Sequence, residues 1–338
     1  MPDFSKLSTV AELKALPADE PRPFAAVLLF LRATVRKARN GNDFLVVELG
    51  DITGSFSVTC FHDSATFALF SEQPTGTVVR LEGTTERYQG KFSPRLSAVG
   101  VLNPEEIAAG NWLARLVESA PEDAATLWEE LQGIIAAIPH EGLRAMVRQV
   151  FENIGERFRV APAATAMHHA YRHGLLEHTV HVARVARALL PLYPEVDASL
   201  ALAGALLHDV GKAIEYEGEL APVKSRVGIL QGHVVLGYRL VRQGAMKAKP
   251  ALEPAVLERL EHIILSHQGE LEWGAATLAC TPEALFVAMA DNFDAKMGMT
   301  QQALRNTPPA QDFSDFLPGL RVSLLTTPPY PPPSPPET

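Results

Sequence analysis

The segment from Ala198 to His208 is almost wholly apolar (Leu200, Leu202, Ala203, Ala205, Leu206, Leu207) and runs directly into Asp209-Val210-Gly211-Lys212. A helix that is apolar on every side is buried wherever it sits. Its last turn therefore takes His208 and Asp209 inside. More of the same residue types recur in other apolar stretches: His178 upstream, His233 in Gln231-Gly232-His233-Val234, His267 after Ile263-Ile264-Leu265, and Asp291 in Phe286-Val287-Ala288-Met289-Ala290-Asp291-Asn292. A carboxylate buried among such neighbours is costly unless something compensates its charge. Imidazole and carboxylate together suit divalent first-row transition metals, so the series His178, His208, Asp209, His233, His267, Asp291 reads as a buried metal centre.

Spacing supports this at several points. His178, Val182, Val185 and Leu189 fall at i, i+4, i+7 and i+11, which places the imidazole on the stripe that faces a core. His181 lies roughly 300° further round a helix and is set aside as flanking that stripe. Gly211 reads as a helix stop. At such a terminus His208 and Asp209 can both turn toward one ion, and the two oxygens of Asp209 make it the expected bridge to a second. His233 follows a glycine turn that opens a new helix.

The N-terminal part is patterned differently. Alternation is clear in Leu45-Val46-Val47-Glu48-Leu49 and in Phe56-Ser57-Val58-Thr59-Cys60-Phe61, and turn signals separate five short strands between Phe24 and Leu102. That number of strands over this length predicts a small antiparallel β-barrel of the oligonucleotide-binding type. Eight Lys and Arg residues against seven Asp and Glu between positions 25 and 100 leave it nearly neutral. Its cations cluster at two hairpins, so Lys37, Arg39, Tyr88, Lys91 and Phe92, cations interleaved with rings, are the candidate nucleic-acid surface.

Several motifs resemble a known family. Met167-His168-His169-Ala170-Tyr171-Arg172-His173-Gly174-Leu175-Leu176-Glu177-His178, Leu207-His208-Asp209-Val210-Gly211-Lys212, Ser266-His267-Gln268-Gly269 and Asp291-Asn292-Phe293-Asp294-Ala295-Lys296-Met297 resemble the HD-domain phosphohydrolases, and within them the YhaM-type 3'-to-5' exoribonucleases, which carry an OB-fold in front. The resemblance implies an all-helical bundle that binds one or two metals, here two divalent ions, Mn first and Fe, Co or Ni as alternatives. It also implies a substrate-phosphate cluster at His168, His169 and Arg172. The implied reaction releases 5'-mononucleotides from single-stranded RNA, or single-stranded DNA, by attack of a metal-activated water. Asp209 is then catalytic as the bridge, and Lys212 stabilises charge on the phosphate. Gln268 stands where the family commonly has a second histidine, which predicts a weaker second metal site.

The expected organisation is a two-domain α+β chain. Residues 1–102 form the OB-fold, 103–160 a helical linker packed on the bundle and broken at Pro121 and Pro139, 161–315 the HD domain, and 316–338 a Pro-rich disordered tail. The net charge of −9 argues against broad binding to polyanions, so any nucleic acid must be held locally. Two cysteines, Cys60 and Cys280, fall in different expected domains, which with the lack of a signal-like N-terminus predicts a cytoplasmic protein that does not enter membranes. A homo-oligomer is compatible with all of this. Two alternatives stay open: a phosphodiesterase or phosphatase for small nucleotides, and a nucleic-acid-binding protein with a structural metal site.

Overall fold

Alternating side chains in the N-terminal part build five antiparallel strands: β1 (Pro23–Lys37), β2 (Asp43–Asp51), β3 (Gly54–Phe61), β4 (Val78–Thr84) and β5 (Arg95–Val101). They form one sheet in the order β3-β2-β1-β4-β5. The computed structural model describes residues 7–17, 20–88, 90–164 and 169–328, and all structural statements below concern these. The chain divides into two units, Met1–Ser119 with Glu217–Val223, and Ala120–Tyr216 with Lys224–Thr338.

In the first unit β1 is long enough to serve two neighbours. Its N-terminal half pairs with β4 and its C-terminal half with β2, with a register shift between Phe30 and Arg32. Such an irregularity bends a strand and increases its twist. The expected small antiparallel barrel is a loose one: among the described residues β3 and β5 share no ladder, so the curved sheet stays open at its ends. One face of the sheet is the core, where Leu28, Phe30, Leu45, Val47, Leu49, Phe56, Val58 and Leu81 are buried. Helix α1 (Val10–Ala15) adds Val10 and Leu13 to it, and α2 (Ala65–Glu72) sets Phe70 against Phe30 with ring centroids 5.0 Å apart.

The second unit is a bundle. Its main helices are α3 (Ala124–Ala136), α4 (Glu141–Val160), α5 (Gly174–Leu189), α6 (Ala198–Leu207), α7 (Arg226–Lys247), α8 (Pro254–Ser266) and α9 (Pro282–Asn306). As its composition demands, α6 is enclosed, with every residue from Ser199 to Leu207 buried. Helices α3 and α4 contribute Leu127, Leu131, Leu143, Met146 and Phe158 to the same core. The expected linker therefore divides. The part with α3 and α4 belongs to the bundle, whereas Leu116, with Trp112 and Val117 against it, packs in the first unit on Val27, Leu29 and Leu102.

Part of the expected tail is paired as well. Phe313 bridges Leu325, Leu317 bridges Val322, and the Leu317 carbonyl accepts from the Arg321 N–H at 2.8 Å. The expected tail beyond Pro328 lies outside the described residues. No helix among the described residues is long and apolar enough to cross a membrane.

Candidate metal centre and nucleic-acid face

The buried end of α6 is the pivot of the site. His208 closes the helix and Asp209 follows it; both are buried, as are His178 on α5 and His267 at the end of α8. Helix α7 is broken at Gly232 (φ 69°), and His233 opens its second part, as the glycine turn predicted. Asp291 faces inward from α9. All six candidates converge, in two sets.

In the first set, His178 Nε2 lies 3.1 Å from His208 Nε2, 3.4 Å from Asp209 Oδ2 and 3.2 Å from Asp291 Oδ1. In the second, Asp209 Oδ1 lies 3.4 Å from both His233 Nε2 and His267 Nε2. Asp209 thus gives one oxygen to each set. Its Oδ1 is buried with no hydrogen-bond donor on it, which a protein interior rarely tolerates unless something else satisfies the atom.

The other nitrogen of every imidazole is occupied. His178 Nδ1 donates to Asp294 at 2.7 Å, His208 Nδ1 to the Ala205 carbonyl at 2.9 Å, and His267 Nδ1 to the Ile264 carbonyl at 2.7 Å, while His233 Nδ1 lies 3.2 Å from Glu215 Oε2. An Nδ1–H held this way leaves Nε2 with its lone pair, and outer partners of this kind orient metal-binding histidines. Two of them come free of charge from the fold: His208 and His267 each end a helix, where carbonyls lack intrahelical partners.

The electrostatics ask for positive charge. Burial opposes a charged His178, yet hydrogen bonds to Asp209, Asp291 and Asp294 hold its pKa well above the ordinary imidazole range. Burial also works against ionised Asp291, but His178 and His208 bring its pKa down to about 2. The donor set therefore fits divalent cations: the ligand atoms of His178, His208 and Asp209 converge, with Asp291 Oδ1 3.2 Å from His178 Nε2, and those of Asp209, His233 and His267 converge beside them. At the second set the Gln268 amide lies 3.0 Å from His267 Nε2 and 3.2 Å from His233 Nε2. The residue expected to weaken that set is thus part of it, and a half-turn of the amide would present its oxygen instead of its nitrogen.

Gly211 has a different purpose from the predicted helix stop. Its backbone is right-handed (φ −64°), and a Cβ there would lie 2.0 Å from the His233 carbonyl oxygen and 2.5 Å from the Gly237 nitrogen. Both are backbone atoms, so neither can swing aside. Gly211 lets α7 approach closely enough to bring His233 to Asp209. Gly211→Ala should destabilise the fold by about 1–3 kcal/mol, the usual range for overpacking, or displace His233. Denaturant unfolding together with metal titration checks this, and a variant that matches the parent in both removes the close-approach role.

A cavity of about 890 Å³ opens onto both sets and is lined by His178, Asp209, His233, Gln268 and Asp291. Lys212 lies on its wall and donates to Asp209 Oδ2 at 2.6 Å. Burial disfavours its ammonium, but the Asp209 carboxylate outweighs this and raises its pKa.

Of the expected phosphate cluster, neither His169 nor Arg172 is among the described residues that line the cavity. His169 is buried, its Nε2 is 3.1 Å from Asp294 Oδ2, and its Nδ1 is 2.9 Å from Glu177 Oε2 and 2.8 Å from the Tyr171 hydroxyl. Both ring nitrogens are engaged within the protein, so His169 supports the site from behind. Arg172 contacts His173 and is absent from the cavity wall. His168 lies outside the described residues. Sequence reasoning passed over Asp294, which His169, His178 and His181 all contact, the last at 3.3 Å. The available signal was its position one turn after Asp291 on the same helix face.

On the first unit Lys37, Arg39 and Lys91 are exposed, and Lys37 stands opposite Asp43 in the ladder. Phe92 is not a free platform: half buried, it packs edge-on against Phe56 with centroids 5.4 Å apart. Tyr88 forms a two-residue strand with Arg87, and its side chain is outside the described set. Among the described residues a second aromatic group lies on another part of the sheet. Register aligns Arg36 with Phe44 and Phe44 with Phe61, so a cation and two rings stand in one row across β1, β2 and β3. Phe61 is 58% exposed and its ring centroid is 6.2 Å from that of Phe44. Sequence reasoning did not single out Phe44 or Phe61, which only the register makes neighbours.

Comparison with protein-family models agrees with both units. Residues 30–101 match the OB-fold nucleic acid binding domain, and residues 175–296 match the HD domain, a span that includes all six metal-site candidates and Asp294. The chain thus joins an N-terminal OB-fold to a C-terminal helical HD domain, the make-up of a metal-dependent phosphohydrolase with a nucleic-acid-binding module.

Proposed function

We propose that the protein is a 3'-to-5' exoribonuclease that uses two divalent cations, Mn²⁺ foremost, to release 5'-mononucleotides from single-stranded RNA. One observation carries the two-cation reading: the buried, donor-free Oδ1 of Asp209 faces two imidazole Nε2 atoms while its Oδ2 serves the other set. His178, His208, Asp209 and Asp291 would hold one cation, and His233 and His267 would hold the other with Asp209 shared. When bound, such a pair supplies a water ionised near neutral pH and neutralises charge on a phosphate oxygen. The protein's own groups do the rest. Asp294, Glu215 and the Ala205 and Ile264 carbonyls keep the imidazoles oriented, and Lys212 places an ammonium beside the charge that builds on the phosphate. The direction of attack and the preference for RNA rest on the motif resemblance described above.

The row Arg36, Phe44, Phe61 supports single-strand binding by the OB-fold, since rings on an exposed sheet face stack bases of any sequence. Removing a stacking ring costs about 1–3 kcal/mol, so Phe61→Ala should weaken oligoribonucleotide binding roughly 5- to 150-fold. Fluorescence anisotropy measures this, and parental affinity in the variant would move the strand to another face. The reaction itself is tested with Mn²⁺ and a 5'-labelled oligoribonucleotide. A ladder that shortens from the 3' end is expected. Internal cuts, or hydrolysis confined to cyclic dinucleotides and nucleoside phosphates, would overturn the assignment.

A further inference from the structure

The paired segment near the C-terminus places a residue on the cavity wall that neither unit's family match covers. Its turn, Pro318-Gly319-Leu320-Arg321, lines the same cavity as Lys296 of α9 and Trp273. Arg321 has φ 58°, a left-handed conformation unfavourable for a residue with a Cβ. Residues held in such conformations cluster where the surrounding structure needs them, at ligand clamps among other places. The turn is secured from within: the Ser314 N–H donates to the Leu324 carbonyl at 2.9 Å, the Leu324 N–H to Ser314 Oγ at 3.0 Å, and the Thr326 N–H to the Asp312 carbonyl at 2.8 Å.

The cations of this cavity fall into two kinds. Lys212 and Lys224 are committed to acids of the site, Asp209 at 2.6 Å and Glu215 at 2.9 Å. Lys296 and Arg321 are exposed, and no carboxylate among the described residues pairs with either side chain. In a chain of net charge −9, two uncommitted cations lining one cavity give it a local attraction for anions that the overall field does not provide. Trp273, 57% exposed, also lines this cavity and offers it a ring face.

We infer that Arg321 and Lys296 bind a second phosphate of the substrate, one nucleotide away from the phosphate under attack, with a base stacked on Trp273. The inference rests on the phosphodiesterase reading above and narrows it: the cavity, about 890 Å³, is built for the end of a chain carrying at least two phosphodiesters and discriminates against a single one. Arg321 is the specificity-determining member.

The test compares UpUpU, which has two phosphodiesters, with UpU, which has one, using the full-length protein. Arg321→Gly is the informative variant, because glycine adopts a positive φ readily and the turn should survive. Arg321→Lys retains the charge as a control. The parent should favour UpUpU over UpU in kcat/KM by about ten-fold or more, as expected for one charge-assisted phosphate contact. In Arg321→Gly that ratio should collapse toward one through KM, and Arg321→Lys should restore part of it. Binding is measured separately in EDTA with labelled UpUpU, where the log–log salt slope should fall by about 0.7 for the lost phosphate contact. A parental ratio and salt slope in Arg321→Gly overturns the inference. If the parent cleaves neither compound but UpUpU binding still depends on Arg321, the exonuclease reading fails while the second-phosphate site stands.

Discussion

Asp209→Asn should lower Mn²⁺-dependent cleavage by on the order of 10³-fold or more, because the metal contribution to charge stabilisation is several kcal/mol and each 1.36 kcal/mol is a factor of ten. Asparagine has the shape of aspartate but not its charge, and only the carboxylate can give one anionic oxygen to each set. Elemental analysis should show Mn²⁺ falling from two ions per chain. The parent should also gain stability on adding Mn²⁺, about 2.7 kcal/mol at a hundred times Kd, whereas the variant should gain little. That comparison does not depend on the variant's stability without metal. Retained metal stabilisation, together with cleavage within ten-fold of the parent, would remove Asp209 from the bridging position.

Asp294→Ala should weaken Mn²⁺ binding about 10- to 100-fold although Asp294 belongs to neither ligand set, the usual consequence of losing an outer partner of a metal-binding histidine. The physical basis is its position among three imidazoles, His178 Nδ1 at 2.7 Å, His169 Nε2 at 3.1 Å and His181 Nδ1 at 3.3 Å. Burial works against this carboxylate, and the hydrogen bonds from those histidines outweigh it and hold its pKa below the ordinary range. Without it, His178 loses the acceptor that fixes which nitrogen faces the site. Asp294→Asn keeps one acceptor oxygen and should fall between the parent and the alanine variant. Titration with Mn²⁺ followed by calorimetry measures both, and an alanine variant with parental affinity would show that packing alone orients His178.

Much of the fold was legible because local period reports which face of an element is buried. The alternation of Leu45, Val47 and Leu49 gave a strand with one core face, and the unbroken apolarity of Ala198 to Leu207 gave a helix enclosed by others. The errors have a common origin in long-range contact. Closure of the sheet depends on whether β3 reaches β5, and nothing in either strand's own pattern states that. Trp112 and Leu127 both carry helical spacing, yet one packs with the sheet and the other with the bundle. His169 was expected at the substrate phosphate, but its neighbour in space is Asp294, 125 residues further along the chain.

By itself the sequence determined the residue types available to the centre: six imidazoles and carboxylates set in or beside apolar stretches, because burial of apolar surface decides locally which segments go inside. Tertiary structure alone decided how they are shared. It divided them into two sets joined by Asp209, locked each Nδ1 on a carboxylate or a helix-end carbonyl, placed Gln268 at the second set and carried Arg321 to the cavity wall. These outcomes depend on the packing of helices distant in sequence, and a local pattern carries no information about distances between elements that meet only when the chain folds.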